Sequence, residues 1–478
     1  MRRFLSYLLA VLCLLPAVTA CASPQDADLA QIMAGGEAVL EEVPFLSPSD
    51  TYTIRIPATL ADTVTLLNGT AEPAYTDDGK WRTVTVNGSA LPLEAGYSSP
   101  DGSKMLCPDG ANLWLFEGDT LTLLSPDTAR SVEDTYGSFE RLLQSDTRQW
   151  VGAEGVTWSQ DGHYAVLTNY KSVIQMVRMI YGLYVIDTQT GSILCLDTFP
   201  SKFGTGAASV LQACFDETGQ ILYAIVFGDT KNNYGDPVSL VRYDMETGKK
   251  QKLCGSEMIV GMPRLQADAQ GRLWNLITPL SSAENAGLNL YAETDGRWTI
   301  TQYPLPQPCA SMYPVSMELS ADGTGLCLVQ LNRSENGGVQ LPAVFRVSET
   351  GAQYQGLLMI DSMEAQEAQL VPLENYVNPD MAAAILREGK PRCLNAKLSP
   401  DGRHALLLVT NGREYAFLLL DMQTFELCRV QTPNGTVSPY GAWNGADKQY
   451  AAGYTWASGN RIAVSTETGV RLFEIAAP

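Results

Sequence analysis

The sequence predicts an all-β chain of repeated four-stranded antiparallel units, and three observations carry that prediction. The turn Leu398-Ser399-Pro400-Asp401-Gly402-Arg403 opens into the apolar run Ala405 to Val409, and turns of this kind recur along the chain. A second, Thr-Gly type of turn recurs between them. Successive copies are mostly spaced by about 50 to 60 residues, which is room for four short strands and their connections, with the long segment Leu358–Asn395 widening one interval.

Each turn has a mechanism. Proline presets φ, aspartate bonds its own backbone, and glycine supplies the positive φ that closes a tight hairpin. The first clear copy is Ser99-Pro100-Asp101-Gly102. Trp158 to Gly162 follows before Tyr164–Leu167, then Phe215 to Gly219 before Ile221–Val226. Ala267 to Gly271 precedes Leu273–Ile277, and Leu319 to Gly323 precedes Leu326–Leu331. After Leu398 to Gly402, the degenerate Trp456 to Asn460 precedes Ile462–Val464. The second half of a unit reads as strand, Thr-Gly turn, strand, as in Leu183–Asp187 with Thr190-Gly191 and Leu240–Asp244 with Thr247-Gly248. Four antiparallel strands at this spacing are the pattern of a β-propeller blade.

Seven turn-bearing units are present, so the expected fold is a seven-bladed β-propeller of four-stranded antiparallel blades. The last unit lacks room for an outermost strand after Ile475, and the alternating stretch Thr51–Ile56 is expected to supply it, closing the ring at the N-terminal strand. The hairpin expected at Asp77-Asp78-Gly79, leading into Trp81–Val86, leaves an eighth blade as the alternative.

Ser-Pro-Asp-Gly-Arg followed by an aliphatic strand resembles the WD40-like repeat of the TolB-type propeller family, from about residue 98 to the C-terminus. The resemblance implies the propeller architecture and little about activity, because propellers host many functions. TolB itself carries an extra N-terminal α/β domain and no lipid anchor. This chain shows the reverse, so TolB's partner is not carried over.

The N-terminus reads as an export signal, with Arg2 and Arg3 before the short apolar region Phe4 to Pro16. Val18-Thr19-Ala20-Cys21 resembles a bacterial lipobox, which implies cleavage after residue 20 and lipid on Cys21. The expected organisation is a signal peptide over 1–20, a lipid-anchored tether over 21–50 with a helix at Ala27 to Leu40, and the propeller over 51–478. The formal net charge of −20 over 478 residues falls to about −22 without Arg2 and Arg3. Such acidity argues against nucleic acid, whose phosphates call for a basic patch.

Of ten cysteines, Cys13 lies in the signal and Cys21 is the anchor. Cys195, Cys214, Cys327 and Cys428 sit in apolar runs and are expected to act as small hydrophobes. Cys107, Cys254, Cys309 and Cys393 lie nearer turns and are the better candidates for disulfides.

The connections divide by face. Turns between strands one and two, and three and four, are short, whereas the long segments fall on the other face. They include Tyr170–Tyr181, Gly228–Pro237, Asn332–Gln340, Pro200–Gln212, Leu358–Asn395 and Gln431–Tyr454, and that face is the expected binding surface. Within them, Glu364–Leu370 reads as an acidic helical stretch and Met381–Arg387 as a short helix ended by Gly389 and Pro391. Tyr440, Trp443, Tyr450 and Tyr454, with Trp456, gather aromatic rings suited to a protein or a sugar if exposed, or to packing between blades if not.

Enzyme signatures are sparse. The two histidines, His163 and His404, follow Asp-Gly turns at equivalent places, where repeat geometry explains them. There is no G-x-S-x-G, phosphate loop, calcium loop or C-x-x-C. The turn aspartates Asp101, Asp161, Asp216, Asp322 and Asp401 read as caps. The expectation is therefore a lipid-anchored extracytoplasmic module without catalytic residue, metal or cofactor, binding an envelope or surface protein. It touches the membrane through its lipid only. A glycan-binding or glycan-degrading propeller is the alternative.

Overall fold

The computed structural model describes residues 24–43, 51–59, 76–87, 97–132, 156–202, 209–304, 313–372, 380–432 and 454–478, apart from short stretches inside these spans. Among the described residues the strands form six sheets, with helices at Pro24–Gly35 and Asp380–Glu388. No helix there is long and apolar enough to cross a membrane.

The repeating unit is clearest in the strands Arg392–Leu398, His404–Thr410, Tyr415–Asp421 and Leu427–Gln431, paired antiparallel in chain order. Every residue of His404–Thr410 is buried. Successive side chains of a strand point to opposite faces, so this means both faces are covered. Ala405, Leu407 and Val409 pack with Leu326, Leu328 and Leu358 of the preceding sheet. Leu406 and Leu408 pack the other way, with Tyr454, Ile462 and Phe473. The same division holds at Tyr164–Leu167, where Ala165 and Leu167 belong to one core and Tyr164 and Val166 to the next. Each fully buried leucine contributes roughly 2–3 kcal/mol of transfer free energy. The aliphatic runs are thus the signature of sheets stacked face to face.

The same up-and-down order recurs along the chain. It appears in Val156–Trp158, Tyr164–Leu167, Arg178–Asp187 and Ser192–Lys202, and again in Ser209–Phe215, Ile221–Phe227, Val238–Asp244 and Lys250–Cys254. It continues in Met262–Ala267, Leu273–Thr278, Gly287–Thr294 and Arg297–Pro304, then in Tyr313–Leu319, Thr324–Gln330, Gln340–Ser348 and Gly351–Met359.

The N-terminal region departs from expectation in three ways. Thr51–Pro57 does not complete the last unit; it lies parallel to Thr120–Leu123, the outer strand of the first. The hairpin strands Thr76–Asp77 and Trp81–Asn87 join that same seven-stranded sheet, not a separate one. The strand that pairs with the C-terminal Gly469–Ala476 is Glu37–Glu42, inside the segment expected as tether, and it also runs parallel to Leu427–Gln431. The two last units thereby form one eight-stranded sheet. The helix expected to reach Leu40 stops at Gly35, where Gly36 takes φ +75° and bonds back to the Met33 carbonyl at 3.0 Å. Leu29 and Ile32 of that helix, and Ala38 and Leu40 of the strand, are buried in the shared core.

All seven described cysteines are buried thiols. That fits the hydrophobe role expected for Cys195, Cys214, Cys327 and Cys428. It corrects the disulfide expectation for Cys107, Cys254 and Cys393, which lie within strands whose neighbours cover them. Cys309 lies outside the described residues. Burial pushes the Cys107, Cys214 and Cys393 thiols upward and away from the reactive thiolate.

Candidate functional site

The short-turn face is built from one device used repeatedly. Ser159 Oγ accepts the Tyr164 N–H at 2.9 Å and donates to Asp161 Oδ1 at 2.6 Å, which also takes the His163 N–H at 3.0 Å. Ser399 and Asp401 repeat it, with the His404 N–H at 3.0 Å and the Arg403 N–H at 3.1 Å. Ser320, Asp322 and Thr324 form a third copy, and Asp216 takes the Ile221 N–H at 3.0 Å. These carboxylates close their own turns, as their spacing predicted; Asp101 lies outside the described residues. The turns also touch one another. A Cβ on Gly219 would come within 3.0 Å of Ser159 Cβ, and one on Gly402 within 2.2 Å of Ser320 Cβ.

Beside these turns lies a polar network that sequence reasoning missed. Arg130 follows Ser125–Pro126, which adds a parallel edge to Ser192–Lys202. Its guanidinium donates to Asp127 Oδ2 at 2.7 Å, Asp187 Oδ2 at 3.0 Å, Thr190 Oγ1 at 3.1 Å and Ser192 Oγ at 3.0 Å. His163 Nε2 stands 3.4 Å from Asp187 Oδ1, its ring stacked on Tyr164 at 3.9 Å. Only the Asp187 that enters Thr190-Gly191 hinted at this from sequence; Arg130 lies 57 residues away. His404 is buried but stands one residue further on, at the place of Tyr164, and Arg403 holds the place of His163.

Burial raises the Asp187 carboxyl, but the Thr190 N–H and the Arg130 guanidinium outweigh it and hold the group below the ordinary carboxylate value. A depressed folded-state pKa contributes stability above the unfolded value near ~3.9 that is lost as pH falls through the folded one. Asp187→Asn should therefore cost about 2 kcal/mol at pH 7, with the gap to wild type narrowing as pH falls below the ordinary carboxylate value. Thermal melts of both proteins across that range check this.

A cleft of about 240 Å³ opens on the same face, between the first sheet and the C-terminal strands. Met105, Phe116, Ala457 and Leu472 give it apolar walls, with Lys104 and Arg461 at its polar edge. Both cations are engaged. Lys104 Nζ donates to the Gly162 carbonyl at 3.1 Å and Thr188 Oγ1 at 3.0 Å, and Arg461 Nε to Glu474 at 3.0 Å. Among the described residues no group of three His, Cys, Asp or Glu side chains is placed to hold a metal ion.

On the long-loop face the insertion after Met359 is described in most of its length. Glu364–Leu370 is not helical: Gln369–Val371 pairs with Leu357–Met359, and Ala368 and Leu427 exchange backbone bonds with Phe425 and Gln366. The short helix is present as Asp380–Glu388, with Gly389 at φ +67° ending it. Ile385 anchors it in the core while Leu386 is 47% exposed.

The aromatic segment is only partly described. Tyr440, Trp443 and Tyr450 lie outside the described residues, as does Cys21. Tyr454 is fully buried, its ring edge-on to Phe417 at 5.3 Å and its hydroxyl donating to the Leu406 carbonyl at 2.5 Å. Trp456 donates through Nε1 to the Lys397 carbonyl at 3.1 Å. Both rings join the C-terminal unit to its neighbour, so Tyr454 has no face for the binding role expected of it.

No family model matches the chain, and no curated protein matches it. Among solved structures it is similar to the β-propeller domain of Cps50 (Swd1) from Myceliophteria thermophila, at 10% identity and TM-score 0.44, covering 82% of this chain and 98% of that one. It is also similar to an oligogalacturonate lyase from Vibrio parahaemolyticus, at 11% identity and TM-score 0.47, covering 85% and 96%. TolB from Acinetobacter baumannii matches at 11% identity and TM-score 0.36, covering 70% of this chain and 62% of that one.

Proposed function

We propose that this chain is a lipid-anchored, extracytoplasmic seven-bladed β-propeller, closed by the strand Glu37–Glu42, that binds an envelope or surface protein without catalysis. The observation that carries this reading is where its large exposed hydrophobic side chains stand. Among the described residues these are Leu386 and Tyr415. Register puts Arg392, Thr410 and Tyr415 side by side at one end of their unit, and the helix bearing Leu386 ends just before Arg392. Ile385 anchors the helix of Leu386 in the core of the two preceding sheets, so the two apolar groups stand on neighbouring units, as suits a protein hot spot that spans them. The burial of Tyr454 and Trp456 supports the same reading over a glycan platform, whose stacking rings must be open to solvent.

In-cell crosslinking with mass spectrometry, comparing wild type with Leu386→Asp/Tyr415→Asp, tests the reading. The expected result is one specific envelope protein whose capture falls at least about tenfold in the variant, with an unchanged melting temperature. Equal capture by both forms, or capture of nothing specific, overturns it.

A further inference from the structure

We infer that the body of this protein is held flush against the bilayer, presenting the edge formed by helix Pro24–Gly35 to the lipid surface; this rests on the reading of Cys21 as the lipid anchor. The argument is one of chain length. A free segment from Cys21 to Asp50, about 30 residues, would span about 100 Å extended and about 30 Å as a coil. That freedom is absent. Helix Pro24–Gly35 begins three residues after Cys21, with only Ala22 and Ser23 between. Three Cα steps reach at most about 11 Å.

The helix is itself fixed to the body. Leu29 is 2% and Ile32 6% exposed in the core that also holds Tyr454, Phe417 and Phe473. Six residues later the chain is a strand of the eight-stranded sheet, bonded on both sides. A helix of twelve residues is about 18 Å long. An acyl chain on Cys21 therefore lies within one helix length and a short step of residues locked in the core. The body cannot swing tens of ångströms from the membrane without tearing Leu29 and Ile32 from their packing.

The surface so presented suits that place. The helix carries two acids, Asp26 and Asp28, in its first turns, and from Leu29 to Gly36 the sequence carries no charged residue, in a chain of net charge −20. Ala30, Gln31, Ala34, Gly35 and Gly36 are the exposed positions there. Beyond Asp26 and Asp28, the small uncharged side chains of this edge add no further repulsion at anionic headgroups. The anchor thus orients the molecule as well as retaining it.

The experiment uses the full lipidated chain in liposomes bearing nitroxide headgroup lipids, in a Cys309→Ser background. The described native thiols are buried, so a dye reports on an added surface cysteine. Ala34→Cys is compared with Glu217→Cys, an exposed turn position in another sheet. Quenching should be at least about threefold stronger at position 34, falling to the level of 217 when a 20-residue Gly/Ser linker, about 25 Å in mean span, is inserted between Ser23 and Pro24. Equal quenching at the two positions, or no response to the linker, in protein whose intact mass shows acyl chains on Cys21, overturns the placement while leaving the anchor. An intact mass without acyl chains overturns the anchor reading, and the placement with it.

Discussion

Replacing Gly402 by alanine should lower the unfolding free energy by about 3 kcal/mol or more, whereas the same change at Gly412 should cost only about 1 kcal/mol. Both glycines have positive φ, +71° and +89°, so an L side chain meets the same left-handed backbone penalty at each. The surroundings differ. A Cβ at Gly412 meets nothing within 4 Å, while one at Gly402 would stand 2.2 Å from Ser320 Cβ and 2.4 Å from its Oγ. Ser320 belongs to the preceding sheet, and its hydroxyl is committed to Asp322 and to the Thr324 carbonyl, so it cannot turn aside without breaking its own turn. The excess cost at 402 measures how tightly successive turns pack. Chemical denaturation of the two variants beside wild type reads it directly, and equal losses would mean that the turns are independent.

The parts of this fold legible in the sequence are those fixed by local chemistry. Asp401-Gly402 and Thr190-Gly191 can hardly be other than tight turns, and runs such as Ala405–Val409 are short, aliphatic and bounded by turns. What escaped depends on partners far along the chain. Glu37–Glu42 offers only Ala38, Val39 and Leu40 between acids, which continues a helical reading; its identity as a strand comes from Arg429 to Gln431 and Phe473 to Ala476. Arg130 is an ordinary arginine until it meets Asp187. Cys107, Cys254 and Cys393 look like turn-edge residues by spacing, and only the stacking of neighbouring sheets buries them. Tyr454 and Trp456 were legible as a cluster but not as a direction, because aromatic side chains serve a core and a binding face equally well.

Removal of residues 1–43 should leave a protein that melts at a markedly lower temperature and self-associates, with a trans peptide covering residues 24–43 restoring part of the loss. Glu37–Glu42 is hydrogen-bonded along both edges, parallel to Leu427–Gln431 and antiparallel to Gly469–Ala476. Its loss exposes two strand edges at once, and exposed edges pair with other chains. The loss also strips Leu29, Ile32, Ala38 and Leu40 from a core of aromatic and aliphatic side chains. The milder Leu40→Ala, at a position with no solvent exposure, should alone cost about 2–4 kcal/mol. Glu42 pairs with Arg471 across 429 residues of chain, so the edge is shut by contact between the two ends of the sequence. A monomeric truncated protein with the melting temperature of wild type would show instead that the C-terminal strands hold without their N-terminal neighbour.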